Sequence, residues 1–182
     1  FTLLCLTILI NGSNFMDGLN IFVVGYFLIV TYTILHLSND LSLDLNFYLV
    51  KIVLTALLVI FVFNFFGMLF LGDSGAYLVS FVLGYVLIHF SNDNKEVVSP
   101  YFTACMLWYP AYENLFSIIR KKFNKKSATK ADKTHLHQLL YILFRNKLPY
   151  SDKVINTLTG CILVFFNLLI LIIAVKFFNN SK

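Results

Sequence analysis

The sequence predicts an all-α integral membrane protein, a polytopic helical bundle that forms one domain over residues 1–182. Of its 182 residues, 59% are hydrophobic, 17% are aromatic and only 13% are charged, and the mean hydropathy is +0.79. A soluble domain of this length needs many more polar residues to cover its surface. The apolar runs also do not alternate with polar residues, so they favour membrane helices over the strands of a barrel.

A bilayer-spanning helix needs about 20 apolar residues, and runs of about that length predict five full spans. We place them at residues 19–37, 47–66, 76–90, 101–119 and 154–178. Residues 1–10 predict only a partial span, because this run is too short to cross and lacks the basic flank of a signal peptide. We therefore expect the chain to be the carboxy-terminal part of a longer protein.

Three cysteines without metal-ligand spacing predict neither a disulfide framework nor a zinc site.

The basic residues predict the orientation of the spans. Seven of the 14 Lys and Arg residues lie between Arg120 and Lys133. By the positive-inside rule, the segment 120–153 is cytoplasmic, so the net charge of +5 indicates membrane orientation rather than binding to nucleic acid. Within this segment, Thr134 is a good N-cap for an amphipathic helix that we expect at the interface.

Counting spans back from the basic segment places three polar motifs on the same cytoplasmic face. The motifs are Asn11-Gly-Ser-Asn-Phe-Met-Asp-Gly18, Phe70-Leu-Gly-Asp-Ser-Gly75 and Lys130-Ala-Asp-Lys-Thr-His-Leu-His137. A carboxylate at the mouth of a membrane span is costly unless it binds something. Helix N-termini on that face favour anions, and carboxylates suit the divalent cation that accompanies a pyrophosphate.

Each motif also has a structural interpretation. Asp73 can serve as the cap of the helix that follows it, and the first motif can be a polar turn between spans, although Asn14 and Asp17 are spaced to share one helical face. His135 and His137 are two residues apart, so they do not share a helical face and can be a solvated interfacial pair.

Two further features favour structural interpretations. Glu113 follows Pro110 near the cytoplasmic end of its span, and we expect it to pair with Arg120 or a neighbouring helix rather than to take part in chemistry. The Gly-Asp-Ser-Gly string at residues 72–75 is similar to the nucleophile region of trypsin-like proteases, but it joins two membrane spans and no barrel pattern surrounds it.

Together the motifs resemble those of the polyprenyl-phosphate N-acetylhexosamine-1-phosphate transferases, which are glycosyltransferase family 4. The family pattern Asn-Ala-x-Asn-x-x-Asp-Gly is similar to the first motif, and Phe-Met-Gly-Asp-x-Gly is similar to the second. The family's Pro-x-x-Asp, followed by a basic loop ending in His-x-His-His, is similar to Pro110-Ala-Tyr-Glu113, Arg120 and His135-Leu-His137-Gln138. The resemblance covers nearly the whole chain in the right order.

The resemblance implies transfer of a sugar 1-phosphate from a UDP-N-acetylhexosamine to a polyprenyl phosphate such as undecaprenyl phosphate. The reaction would release UMP at the cytoplasmic face of the plasma (inner) membrane, with Mg²⁺ or Mn²⁺ as cofactor. The resemblance leaves the oligomeric state open, including a homodimer.

The same resemblance implies roles for individual residues. Asp73 and Asn14 would hold the metal on the pyrophosphate, and Asp73 would also be a catalytic residue. Asp17 would be catalytic or would position the metal site, and Asn20 would contact uracil. His135 and His137 would act in catalysis and bind the diphosphate or the sugar. The basic loop would add Lys133 to the substrate-binding residues.

Departures from the family pattern refine the expectation. Asn20 replaces an Asp that is usual in bacterial members, Glu113 stands for Asp, and Gln138 replaces a His. The His-x-His form resembles the O-antigen-initiating or teichoic-acid-initiating branch more than the lipid I-forming translocase. The family's upstream Asp-Asp motif has no counterpart in these residues, so we expect that they alone cannot turn over.

Two other functions stay open at this point. The chain could be a fragment of a membrane transporter or channel in which Asp17, Asp73 and Glu113 line an ion path. Such a path needs acidic groups spread through the depth of the bilayer, whereas Asp17 and Asp73 are expected at one surface. The chain could also be a non-catalytic relative of the transferases.

Overall fold

A computed structural model describes residues 2–43, 46–123 and 135–180. Over these ranges the chain forms α-helices and no strand, which confirms the all-α prediction. The helices are α1 (Thr2–Met16), α2 (Phe22–Leu41), α3 (Phe47–Phe65), α4 (Gly72–Asp93), α5 (Pro100–Met106), α6 (Trp108–Phe123), α7 (Leu136–Lys147) and α8 (Asp152–Lys176).

Four helices in the described ranges, α2, α3, α4 and α8, are long and apolar enough to cross a membrane. Helix α2 lies at the centre of the bundle, where it packs against α3, α4 and α8 and buries a nearly continuous run of residues in its amino-terminal half. Helix α3 buries only Val50, Leu57 and Asn64, so most of its surface is apolar and exposed. This arrangement is that of a multi-pass membrane bundle.

The segment expected to form the span at residues 101–119 is not one uninterrupted helix. The chain forms α5 and α6 instead, with a break at Leu107 between them. Pro110 has no backbone N–H and so cannot bond the carbonyl four residues earlier. The Met106 carbonyl instead accepts a hydrogen bond of 2.8 Å from the Tyr26 hydroxyl on α2. Neither α5 nor α6 is long enough to cross a bilayer alone.

Other boundaries also differ from the expected ones. Helix α1 continues to Met16, so most of the first polar motif is helical rather than a loop after residue 10. A tight connection, which we call the α1–α2 turn (residues 17–21), leads into α2 and ends at Ile21 with a φ of 58°. The N-cap of α7 is His135 rather than Thr134, which lies outside the described residues.

Two glycines allow helices to approach closer than any side chain would permit. A Cβ atom on Gly12 would lie 2.2 Å from the carbonyl oxygen of Pro110, where α1 packs against α6. A Cβ atom on Gly160 would lie 2.0 Å from the carbonyl oxygen of Asn20, where α8 packs against the α1–α2 turn. Both contacts are with backbone atoms, which cannot rotate away.

The contact at Gly160 generates a stability prediction. We expect Gly160→Ala to lower the free energy of unfolding by roughly 1–3 kcal/mol, the usual cost of overpacking a well-packed interior, because the new methyl group must push α8 away from the α1–α2 turn. Thermal unfolding in lipid nanodiscs measures the effect.

Gly84→Ala is the matched control. Its Cβ atom would lie 2.4 Å from the Leu6 Cδ2 atom, which is the end of a flexible side chain that can move. We expect a smaller loss of stability for Gly84→Ala, and equal losses for the two variants would contradict the proposed backbone clash at Gly160.

Candidate active site

The α1–α2 turn is held by polar side chains from two other helices. The Asn64 side-chain oxygen on α3 accepts a hydrogen bond from the Ile21 N–H. On α8, the Asn156 side-chain oxygen accepts from the Asn20 N–H at 2.7 Å, and the Asn20 amide donates to the Thr157 hydroxyl at 3.0 Å. These contacts satisfy backbone groups that a buried turn would otherwise leave unpaired, and they fix where Asp17 lies.

Asp17 faces the amino-terminal end of α4. Burial is the largest effect on the Asp17 carboxyl and raises its pKa above the ordinary value. The Gly72 backbone N–H, which donates to the carboxylate, lowers that pKa. The charge of Asp73 raises the pKa further, and His137 lowers it. The pKa stays raised because loss of hydration penalises the charged form. Asp17 is therefore within electrostatic range of both Asp73 and His137.

Asp73 is exposed in the first turn of α4, one residue after its start. The N-cap position is occupied by Leu71, which makes no side-chain capping bond. The capping interpretation of Asp73 is therefore wrong, because the Gly72 N–H at this helix end is bonded by Asp17 from a different part of the chain. The Asp73 carboxylate lies at the positive end of the α4 dipole, which stabilises its charge.

The second half of the site is centred on Glu113 of α6, whose side chain is 0% exposed. The Nδ1 atom of His135 lies 3.1 Å from Glu113 Oε2, and the Nδ1 atom of His137 lies 3.1 Å from Glu113 Oε1. The Tyr109 hydroxyl donates to Oε1 at 3.0 Å. Of the two partners expected for Glu113, Arg120 or a neighbouring helix, the second is confirmed, because both histidines lie at the start of α7. The Arg120 guanidinium lies 5.0 Å from the Phe116 ring centroid.

Both histidines reach the same carboxylate because only one of them is helical. His135 is the N-cap of α7, with the extended dihedrals φ −68° and ψ 155°, while His137 lies within the helix. The two rings stack with centroids 5.7 Å apart and planes 13° apart. They are 5% and 0% exposed, so the interpretation as a solvated pair on different faces is wrong.

Aromatic rings and a glycine enclose this histidine pair. Phe15 of α1 stacks on His135 at 4.9 Å, and Phe22 of α2 lies 5.9 Å from the His137 ring. A Cβ atom on Gly18 would lie only 3.2 Å from the His137 Nε2 atom, so the absence of a side chain at Gly18 lets the imidazole lie against the α1–α2 turn. The first two polar motifs and the described part of the third, residues 135–137, therefore meet at one end of the bundle.

Two of the remaining expected site residues, Asn14 and Asn20, lie beside Asp17, one at the end of α1 and one in the α1–α2 turn. The Asn14 side-chain oxygen is buried, and nothing in the described part of the chain hydrogen-bonds it. Asn20 lines a cleft of about 620 Å³, together with Phe70 from the second motif and Lys153 at the start of α8. Lys133 lies outside the described residues.

The donor set at this end suits a hard divalent cation. Asp73 and Asn14 offer oxygen ligands, and Mg²⁺ is often held by one or two carboxylates together with substrate phosphates and water. Over the ranges that the structure describes, no group of three or more His, Cys, Asp and Glu side chains could hold a metal by itself. A cation here would therefore need oxygens from a bound phosphate, and the metal-binding roles of Asp73 and Asn14 stay a prediction.

Sequence reasoning undervalued or missed several residues of this region. Glu113 was detectable, because a charged residue within an apolar run is by default a functional residue. Tyr109 had no signal beyond its helical spacing from Glu113. Asn64, Asn156 and Thr157 are single polar residues near helix ends, and nothing in the sequence indicates that they converge on one turn.

Fold and site define a class, a helical multi-pass membrane protein with carboxylate, imidazole and amide groups gathered at one end of the bundle. The sequence profile described as glycosyl transferase family 4 matches residues 1–91, which include Asn14, Asp17 and Asp73. The chain therefore belongs to glycosyl transferase family 4, which confirms the family expected from the motifs.

A curated relative is the decaprenyl-phosphate N-acetylglucosaminephosphotransferase of Mycolicibacterium smegmatis. It is 29% identical over 158 residues, a match that covers 75% of this chain and 39% of the relative. The chain thus spans about two-fifths of the relative's length. No solved structure matches the chain significantly.

The raised pKa of Asp17 predicts a pH-dependent stability. Because the pKa is higher in the folded state than its unfolded value of 3.8, the folded state binds more protons and loses stability as pH rises above that value. Asp17→Asn keeps an acceptor for the Gly72 N–H but removes the charge. We expect it to unfold at a higher temperature than the wild type at neutral pH, by a margin that shrinks towards about pH 4.

Thermal unfolding without divalent cations or nucleotide measures this margin. Asp93→Asn is the control, because Asp93 is an exposed aspartate at the opposite end of α4, and it should show little such gain. A pH-independent margin for Asp17→Asn would contradict the burial of an ionised carboxylate at this position.

Proposed function

We propose that the protein transfers N-acetylhexosamine 1-phosphate from a UDP-sugar to a polyprenyl phosphate and releases UMP. Membership of the family and the phosphotransferase activity for which the mycobacterial relative is named support this class of reaction. The observation that carries the proposal is the placement of Asp17 within range of both Asp73 and His137. Such a site gathers acidic and imidazole groups where a diphosphate and its cation could bind.

In the proposed reaction, a phosphate oxygen of the lipid attacks the phosphorus that carries the sugar. The bond from that phosphorus to the bridging oxygen of UMP breaks, and a new diphosphate bond forms to the lipid. The protein has little covalent chemistry to perform in such a transfer, so its main contributions are positioning and charge stabilisation. Asp73 and Asn14 would hold Mg²⁺ or Mn²⁺, which when bound neutralises charge on the phosphoryl oxygens.

The uridine of the donor would occupy the cleft beside Asn20. This cleft combines an amide, which can recognise the edge of a base, with the exposed Phe70 ring, on which a base can stack. Asn20 is 6% exposed and its backbone is fixed by Asn156. The cleft is therefore anchored to two helices rather than to a free loop.

The acceptor lipid would approach from the membrane beside α6. The last turn of α6 carries Arg120, Lys121 and Lys122, and clustered basic residues next to a membrane attract anionic lipid head groups. We place this end of the bundle on the cytoplasmic side of the plasma membrane, in agreement with the positive-inside rule.

The acceptor lipid would be undecaprenyl phosphate, and the reaction would belong to O-antigen or teichoic acid synthesis.

A transporter or channel is the competing proposal. An ion path needs acidic groups distributed along the depth of the membrane, whereas Asp17 and Asp73 lie together, and Glu113 is linked to the same end through His137. This clustering favours an interfacial enzyme, and a non-catalytic relative would keep the clustering but lack turnover.

The test is release of UMP from UDP-N-acetylglucosamine in membranes that contain polyprenyl phosphate and the protein expressed from its intact gene. We expect Mg²⁺-dependent release that Asp73→Asn lowers by at least about 100-fold, the usual effect of removing one group that stabilises transition-state charge. Asp93→Asn changes an aspartate at the other end of the same helix, so it should leave the rate nearly unchanged.

Absence of Mg²⁺-dependent UMP release in the wild-type protein would reject the proposed transfer. Ion flux through proteoliposomes that Asp73→Asn abolishes would then support the transporter, and absence of both would support the non-catalytic relative. UDP-N-acetylgalactosamine, assayed in parallel, identifies which hexosamine is transferred.

A further inference from the structure

Glu113 is a buried charged group that the proposed transfer does not by itself use. Of the Asp and Glu residues described by the structure, it alone is fully buried. An unpaired carboxylate in such a place would cost several kcal/mol, yet Glu113 accepts three hydrogen bonds, from Tyr109, His135 and His137. A carboxylate has about four lone-pair positions and can accept all three bonds at once.

These bonds determine where the imidazole protons lie. An ionised carboxylate only accepts hydrogen bonds, so the Nδ1 atoms of His135 and His137 must each carry a proton to bond Glu113 at 3.1 Å. The tautomer of a histidine is set by the bond that one of its ring nitrogens makes. The Nε2 atom of each ring is then the nitrogen available for another partner.

The Nε2 atom of His137 lacks such a partner in the part of the chain that the structure describes, although it is fully buried. Buried polar atoms are nearly always hydrogen-bonded, and an exception calls for a ligand, a water or a functional role. This atom lies against Gly18, where a side chain would come within 3.2 Å of it. It also lies on the side of the ring opposite Glu113, in electrostatic range of Asp17.

We propose that Glu113 is a positioning residue, which holds the Nδ1–H form of His135 and His137 and so directs the Nε2 atom of His137 to a phosphoryl oxygen. The identity of the ligand rests on the proposed function, whereas the protonation of Nδ1 does not. A phosphoryl oxygen needs a donor, so Nε2 carries a proton in the complex and the His137 ring is then an imidazolium. The negative charge of Glu113 compensates that positive charge, since both side chains are 0% exposed.

Ring-nitrogen spectra of the protein labelled with 15N-histidine in lipid nanodiscs test the proposal without any assay of activity. In the wild type, we expect His135 and His137 both to be protonated at Nδ1, and addition of UDP to bring a proton to the Nε2 atom of His137. In Glu113→Gln, the new amide can accept from only one ring and must donate to the other, so one of the two histidines should switch tautomer. Glu113→Asp keeps an acceptor-only group and should restore the wild-type protonation in part.

The same spectra contain their own controls. His36 and His89 are exposed and pair with Asp40 within α2 and with Asp93 within α4, respectively. Their signals should therefore not change in any Glu113 variant that remains folded. An unprotonated Nδ1 of His137 in the wild type would overturn the proposal, and so would a Glu113→Gln spectrum identical to that of the wild type. If the His137 Nε2 signal does not change when UDP is added, the proposed contact between His137 and a phosphoryl oxygen is wrong.

A kinetic comparison separates positioning from a merely structural role. We expect Glu113→Gln to lower kcat/KM by about 10–100-fold, as is usual for a residue that orients a ligand-binding imidazole, with partial recovery in Glu113→Asp. Because Glu113 acts through His137, Glu113→Gln combined with His137→Ala should be no slower than His137→Ala alone.

Losses that multiply in the double variant would overturn the proposal, since Glu113 would then act independently of His137. If the wild type releases no UMP, the proposed function fails while the ring-nitrogen spectra still decide the protonation of Nδ1. The two failures are therefore distinguishable.

Discussion

The carboxylate of Glu113 and the two imidazoles that bond it are the interaction on which the candidate site depends. A buried carboxylate is tolerated only with good partners, so α6 and α7 are stable in this arrangement only when docked to each other. Glu113 lies on α6, which begins as a separate helix at Trp108 after the break at Leu107. Gly12 then lets α1 approach α6 at backbone distance, which brings the first polar motif to the histidines.

A second set of bonds orients the acidic half of the site. Asn64 from α3 and Asn156 from α8 hold the turn that carries Asp17, and Asp17 bonds the start of α4 beside Asp73. The two halves meet where His137 lies against Gly18. Groups from distant parts of the chain therefore share one end of the bundle, and each is held by a different neighbour. The phosphoryl transfer that we propose would require such preorganisation.

Much of this organisation was predictable from the sequence because composition and apolar run length respond directly to the membrane. The four long helices follow the predicted runs to within a few residues, and the three motifs identified the region where the site lies. The break at Leu107 was less predictable, since a proline in a membrane helix is often tolerated when a neighbour satisfies the freed carbonyl. Here Tyr26, 80 residues before Met106 along the chain, provides that bond.

The contacts of the histidines could not be predicted from spacing. Side chains two residues apart point in different directions on a helix, but His135 has extended dihedrals and only His137 is helical. Their common direction therefore depends on the exact residue at which α7 begins, and local sequence signals do not fix a helix start to one residue. The partner of both rings, Glu113, lies 22 residues before His135 in sequence. The contact of Asn64 with Ile21 is likewise tertiary, and a lone amide near the end of an apolar run does not reveal it.

The buried α1–α2 turn also constrains how this protein can evolve. Surface loops usually tolerate insertions and deletions, but Leu19, Asn20 and Ile21 are almost completely buried, and both Asn20 and Ile21 donate their backbone N–H groups to side chains of other helices. One added or deleted residue would shift every one of these donors out of register and move Asp17 away from α4. In a set of related genes, this connection should therefore keep a constant length while the loops at the opposite end of the bundle vary.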